Sequence, residues 1–275
     1  MAGKNFKLRA WQEEFVRAVY ATDEHGRRLI RTAVLSMGRG NGKTTLAAAL
    51  ALAHLVGPEA EPRGECYSAA NDRLQASRIH SEMVAIVRSV PWLLDRVTVR
   101  RVTKEIEDIN GNGSLYVALS ADVPTKLGFA VSFCVYDELG QALGRGLLDA
   151  LDTGMGKRDQ PLMLIISTQA ARDEAPLSTL IDYGLRIQRG EIEDPSFHLT
   201  MYSAPEDADP WSPETWKLAN PALADFRSLE DVERLALQAQ RMPSAEASFR
   251  NYVLNQRVDT TTQFVDMRSW GLCGT

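Results

Sequence analysis

Residues 29–45, Leu-Ile-Arg-Thr-Ala-Val-Leu-Ser-Met-Gly-Arg-Gly-Asn-Gly-Lys-Thr-Thr, constrain the fold more than any other stretch of this 275-residue chain. An apolar, β-branched run ends in a glycine-rich turn, and an alanine-rich helical segment, Leu46 to Val56, follows without a break. Strand, glycine-rich turn, Gly-Lys-Thr and helix in that order make a phosphate-binding loop. Loop amides and the unpaired N–H groups of the new helix converge on one point, where the helix dipole favours an anion. Gly38, Arg39, Gly40, Asn41, Gly42, Lys43, Thr44 and Thr45 are therefore the candidate nucleotide contacts. Lys43 offers a mobile charge for the β/γ-phosphates of ATP, and Thr44 a hydroxyl for Mg²⁺. Met37 stands where the general pattern has its first glycine, so the loop is read as a variant whose freedom comes from the three glycines after it. The competing reading is a β–α turn with an incidental lysine; the strand before and the helix after speak against it.

Tyr136-Asp137-Glu138 closes the most apolar run in the chain, Val131 to Tyr136. An aspartate at the carboxyl end of a parallel strand beside such a loop holds Mg²⁺, and an adjacent glutamate orients the water that attacks the γ-phosphate. An Asp-Glu pair also caps helices, which is the plainer alternative. Leu164-Ile-Ile-Ser-Thr-Gln169 is a buried strand ending in Ser167, Thr168 and Gln169, side chains able to sense whether a phosphate is present. Ser and Thr are equally ordinary at a strand exit. Gln12 falls on a helical pattern (Leu8, Trp11, Phe15, Val16, Val19) ahead of the loop. Its amide donates and accepts, as reading adenine requires; a solvated helix glutamine is the alternative.

Further along, Glu65–Ala70, Leu162–Ile166 and Phe197–Tyr202 read as strands, and segments opened by Asn71-Asp72, near Leu147 and near Leu177 as helices. Asp95 to Ser120 reads as β structure with Asn110–Gly113 as its turn. Alternating strands and helices give an α/β fold with a mostly parallel, doubly wound sheet flanked by helices. From residue 204 the chain becomes polar and proline-rich, as a linker is, and Ser228 and Pro243 each start a helix. The expected organisation is a P-loop core over 1–203, a small helical subdomain over 204–260, and a linker over 261–275, where Phe264–Trp270 looks like the start of another domain.

Hydrophobic residues make up 44% of the chain and charged ones 24%, enough for a sizeable core. No signal-peptide pattern opens the sequence and no apolar run approaches the ~18 residues of a membrane span. A net charge of −5 restricts nucleic-acid binding to a local surface. Arg96, Arg100, Arg101 and Lys104 are the densest basic cluster, either a DNA contact or a solvated face. Cys66, Cys134 and Cys273 have no metal-ligand spacing, and none of the four histidines is assigned to chemistry.

Together these segments resemble the ATPase domain of the large terminase subunit of tailed bacteriophages. Trp11-Gln12 is similar to that family's adenine motif, Gly38 to Thr44 to its variant Walker A loop, Val135–Glu138 to its Walker B strand and catalytic glutamate, and Ser167–Gln169 to its coupling motif. Ala69–Ala76, Asn220-Pro-Ala-Leu and Phe249–Asn255 resemble further segments, the last two in its helical lid. The resemblance implies an ASCE-type P-loop ATPase that acts in viral DNA packaging. Its implied partners are double-stranded DNA, the portal protein of a procapsid, the small terminase subunit and further copies of itself in a ring, in the host cytoplasm and with no membrane. It also implies an arginine given by a neighbouring subunit, for which Arg145 is the candidate, with Arg39 as the alternative within the same chain. No nuclease activity is expected from these residues. Two other classes fit the motifs less well: a DExx-type helicase, which needs a second ATPase-like domain, and a nucleotide-gated assembly protein, which needs no Glu138.

Overall fold

Alternating strands and helices assemble into an eight-stranded sheet with helices on both faces in the computed structural model, which describes residues 7–120 and 128–258. α1 (Ala10–Val19) buries Trp11, Phe15 and Val19. β1 (Thr32–Ser36) runs through the glycine-rich loop into α2 (Lys43–Val56), which is apolar around most of its circumference and is buried accordingly. β2 (Glu65–Ala70) precedes α3 (Arg73–Ser89), whose N-cap Asp72 accepts from the Leu74 and Gln75 amides. A short α4 (Pro91–Arg96) then leads to β3 (Val97–Arg100), β4 (Glu105–Asp108) and β5 (Leu115–Ser120). β6 (Val131–Asp137), α5 (Gly146–Met155), β7 (Leu162–Ser167), α6 (Pro176–Gln188) and β8 (Phe197–Met201) complete the sheet. α7 (Pro213–Ala219), α8 (Leu229–Arg241) and α9 (Pro243–Tyr252) follow.

The strand order is β3-β4-β5-β2-β6-β7-β1-β8; β4 runs antiparallel to both β3 and β5, and the remaining pairs are parallel. Every residue of β6 and β7 is buried, as the unbroken apolar runs require of central strands. Side chains alternate between the faces: Phe133 and Val135 pack with α1, α2 and α3, while Cys134 and Tyr136 pack with α5 and α6. Burial pushes the Cys66 thiol up to about 12 and raises that of Cys134 as well, leaving both inert. A separate small core, with Trp216, Val232 and Phe249 in it, joins α7, α8 and α9.

The order has one consequence for chemistry. β7 lies between β1 and β6, so the loop after β7 separates the glycine-rich loop from Asp137 and Glu138. All three strands end on the same rim.

Two sequence expectations need correction. The stretch from Asp95 to Ser120 holds two turns rather than one; residues 101–104 form the second, with Lys104 in the left-handed region at φ 61°. The proline-rich stretch after 204 is not loose. The Ala204 amide donates to Leu254 O (3.0 Å), Trp216 Nε1 donates to Pro210 O (2.8 Å), and Ser212 with Pro213 starts α7. Ser and Pro begin helices as readily as they interrupt them. Phe264–Trp270 and Cys273 lie outside the described residues.

Candidate functional site

The backbone of the glycine-rich loop turns at Gly42, whose φ of 79° is open to glycine and strained for any residue with a Cβ. Met37, in the position that usually carries glycine, sends its side chain into the core. Its amide donates to Ser167 O (3.2 Å), which pins the loop to the end of β7. Lys43 is buried, and its ammonium donates back to the carbonyls of Met37 (2.8 Å) and Gly38 (3.2 Å). Burial pushes its pKa down to about 8, against the pull of Glu138 and Asp137. Burial likewise lifts Asp137 to about 7, with the neighbouring Glu138 adding to the rise and Lys43 opposing it. A cation and two carboxylates thus share one poorly solvated spot.

Glu138 sits just past β6 with its amide donating to Ile166 O (2.8 Å). Its backbone is left-handed, φ 55°, a conformation unfavourable for a glutamate and typical of functional turns. One of its carboxylate oxygens, Oε2, is buried with no hydrogen-bond partner. An orphaned buried acceptor is costly and calls for a ligand or water. Next to it, Ser167 Oγ accepts from the Gly140 amide (3.1 Å), tying the glutamate's turn to the β7 loop.

A second group of contacts, between the loops and α7–α9, was not foreseen from sequence. Asn41 Nδ2 donates to Gly38 O (2.9 Å) and to Asn220 Oδ1 (2.8 Å), and Asn41 Oδ1 accepts from the Ala222 amide (3.1 Å). Asn220 Nδ2 in turn donates to Trp216 O and Val253 O. Asn255 Nδ2 donates to Ser36 Oγ (3.0 Å) and Tyr202 O (2.9 Å), while its Oδ1 accepts from the Gln169 amide (2.7 Å). Asn251 Nδ2 donates to Gln169 O (2.9 Å). These asparagines are buried and bonded on both their donor and acceptor sides or to two carbonyls, so the α7–α9 region is fastened to β1, to its loop and to the β7 loop at once.

Gly38 shows how close the fit is. A Cβ there would stand 2.4 Å from Asn220 Oδ1 and 2.6 Å from Val253 O. Gly38→Ala is therefore expected to push the α7–α9 region off the loop, lowering the thermal midpoint by several degrees, as about 1–3 kcal/mol of overpacking implies. A midpoint within a degree of wild type in a melting curve would contradict that packing.

The remaining sequence candidates fall in different places. Gln12 is buried rather than solvated, and its Oε1 accepts from the Arg9 amide (2.9 Å). Thr45 Oγ1 donates to Glu82 (3.2 Å) on α3. Thr44 opens onto a cleft of roughly 340 Å³ lined also by Ser77, Arg78 and Glu82. The Arg39 guanidinium stacks on Tyr252, 3.6 Å from the ring centre. Arg145, 48% exposed, pairs with Asp149 at 3.3 Å on its own helix. Arg100 lies at the far edge of the sheet, paired with Glu105 and Glu107, and Arg96 pairs with Asp108, while Arg101 and Lys104 stand in the turn between β3 and β4.

Arg227 is the notable residue that sequence reasoning missed. Its Nη1 lies 2.8 Å from the point where a Cβ on Gly40 would stand. Burial pushes its pKa down to about 10, with Asp231 opposing the fall, and its Nε is buried without a partner. A desolvated cation over an anion-binding loop has phosphate as its natural counter-charge. Thr44 and Asp137 provide an all-oxygen donor pair, which suits Mg²⁺ completed by substrate phosphates. Among the described residues no cluster of three or more His, Cys, Asp or Glu side chains forms a closed metal cage.

The family model for "Terminase large subunit, ATPase domain" matches residues 10–184. The large terminase subunit of Enterobacteria phage HK97 is 40% identical over 280 residues, covering 100% of this chain and 53% of that protein. The crystal structure of the HK97 large terminase matches at a TM-score of 0.85 and 39% identity, over 99% of this chain and 55% of that one. The chain spans about half the length of these HK97 relatives. The large terminase of a thermophilic bacteriophage, solved in complex with ADP, shares the fold at a TM-score of 0.61 and 11% identity, over 90% of this chain and 53% of that one.

Proposed function

The chain belongs to the terminase large subunit family, as its ATPase domain, and from that premise we propose that it hydrolyses ATP to drive double-stranded viral DNA into a procapsid. The observation that carries the reading is the buried, partnerless Glu138 Oε2 on the same rim as Lys43, with β7 between them. A carboxylate held that way can accept a proton from a water and aim it at a γ-phosphate.

Each residue's part follows from its place. Loop amides and Lys43 hold the β- and γ-phosphates, the lysine trading its bonds to Met37 and Gly38 for charged partners. Thr44 and Asp137 would hold Mg²⁺, which would neutralise phosphate charge. Arg227 adds a second cation above Gly40. Gln12 and the neighbouring lid receive the base. Ser167, Thr168 and Gln169 pass the presence of the γ-phosphate to Asn251 and Asn255. The ADP complex of the thermophilic-phage relative agrees with an adenine nucleotide as ligand.

Arg145 acts in trans in an assembled ring. Leu143, 93% exposed, and open space around Gly144 and Gly146 give it a protruding loop, and its i,i+4 pair with Asp149 is weak. The ring docks on the portal in the host cytoplasm and receives DNA through the small subunit. No helix among the described residues is long and apolar enough to cross a membrane.

Steady-state phosphate release by the full-length protein, with and without portal-bearing procapsids and DNA, tests the function. Turnover that rises with procapsids and DNA is expected; ATP binding without hydrolysis under both conditions would reduce the protein to a nucleotide-gated assembly factor. Arg145→Ala and Glu138→Gln subunits should each be inactive alone and regain part of the activity on mixing, because a mixed ring pairs an intact glutamate with an intact arginine. No recovery in confirmed mixed rings removes Arg145 from the reaction.

A further inference from the structure

Residues 222–227 form a small loop closed on itself. The amides of Asp225 and Arg227 both donate to Ala222 O (3.1 Å each), and the Ala224 amide donates to Arg227 O (3.0 Å). Ala224 takes a left-handed φ of 64° to close it. One end is fixed to the phosphate loop, where the Ala222 amide meets Asn41 Oδ1 at 3.1 Å. The other end is fixed to the start of α1. Asp225 Oδ2 accepts from Arg9 Nε (2.7 Å) and Oδ1 from Arg9 Nη2 (3.2 Å), a two-pronged pair across 216 residues of sequence.

Between these fixings lies Phe226. Two of its ring atoms stand 3.1 Å from where a Cβ on Gly42 would project. The Arg9 guanidinium carbon sits 5.5 Å from its ring centre, and the backbone amide of the same Arg9 ends on Gln12. The ring is only half buried, so aromatic surface remains open beside the loop. Phe226 thus bridges the phosphate cradle and the helix that carries Gln12, the interval a ribose and base must cross.

We propose that Phe226 is the stacking platform for the base of the bound nucleotide, and that the Arg9–Asp225 pair is the clasp that sets the platform in place. The proposal rests on the nucleotide-site reading above and deepens it, by assigning selection of a nucleoside triphosphate over a bare polyphosphate to this loop. The clasp itself is exposed, and such pairs contribute little to stability. Its effect is positional. An aromatic face accepts a base by stacking, and the guanidinium behind it fixes the ring's tilt.

Equilibrium binding of ATP and of inorganic tripolyphosphate to the same full-length protein tests the assignment. Phe226→Ala should weaken ATP binding roughly tenfold or more while leaving tripolyphosphate within about twofold. Phe226→Trp should keep ATP affinity, which guards against mere misfolding. Arg9→Asp and Asp225→Arg should each weaken ATP, and the double swap should restore it. Equal weakening of both ligands by Phe226→Ala, or no change in ATP affinity, overturns the platform. Lys43→Ala must weaken both ligands; if it weakens neither, the nucleotide site itself is misplaced, a failure that the Phe226 variants alone do not produce.

Discussion

Replacing Lys43 by alanine abolishes ATP turnover and weakens ATP binding by roughly 10- to 150-fold, the loss of a charged hydrogen bond of about 1.5–3 kcal/mol. The expectation follows from what the ammonium does before nucleotide arrives. It is buried, its pKa is depressed to about 8, and two backbone carbonyls are its direct partners. Those bonds are a waiting position, and triphosphate oxygens are better acceptors for a cation. Because the lysine's charge is poorly compensated without ligand, the variant should melt within a few degrees of wild type. What disappears is the rise in melting temperature that ATP gives the wild-type protein. Thermal shift and phosphate release read the two effects separately. Turnover near the wild-type rate would remove the loop from the chemistry altogether.

Glu138→Gln is the second large effect, with ATP still bound and turnover reduced by roughly 10²–10⁴-fold. Gln keeps the size and can keep the tight turn after β6, but it cannot take a proton from water. The change also removes one of two adjacent carboxylates, which relaxes Asp137 toward its ordinary range, since Glu138 is among the causes of its rise. Binding should therefore be unimpaired or tighter. Rapid filtration of the variant with radiolabelled ATP should recover unhydrolysed nucleotide on the protein. Loss of binding in step with turnover would instead mark Glu138 as a support for the strained turn.

The parts of the site that were legible in sequence are those whose role is local. Gly38 to Thr44 announces its shape because glycine spacing, a lysine and a following helix act within one turn of chain. Asp137 and Glu138 stood out because an unbroken apolar run must be a central strand, and acids at its end have one place to go. Asn220, Asn251 and Asn255 were visible as segments but not as fasteners, since an asparagine's partners are chosen by the tertiary fold; Asn255 reaches Ser36 across 219 residues. Arg227 and Phe226 gave no signal at all, because closeness to Gly40 and Gly42 has no trace in spacing. Ion pairing inside the basic cluster is equally hidden from spacing. Counting Arg96 and Arg100 without Asp108, Glu105 and Glu107 credits a charge that short-range pairing removes. α7 is a different case: Ser212 and Pro213 are a local helix start, but in a polar, proline-rich stretch the same residues also read as a linker.

The Asn41–Asn220 bond also sets a clock. The two residues are 179 positions apart in the chain, and at about 5–20 residues per second the ribosome delivers the second some 10–40 s after the first. During that interval the glycine-rich loop is synthesised, and the sheet beneath it can form, while Asn41 lacks its partner and Gly38 the wall of residues that packs against it. Completion of the loop's packing is therefore a late event in the life of each chain. A half-made subunit holds the lysine and the glutamate before Asn220, Phe226 and Arg227 have been added.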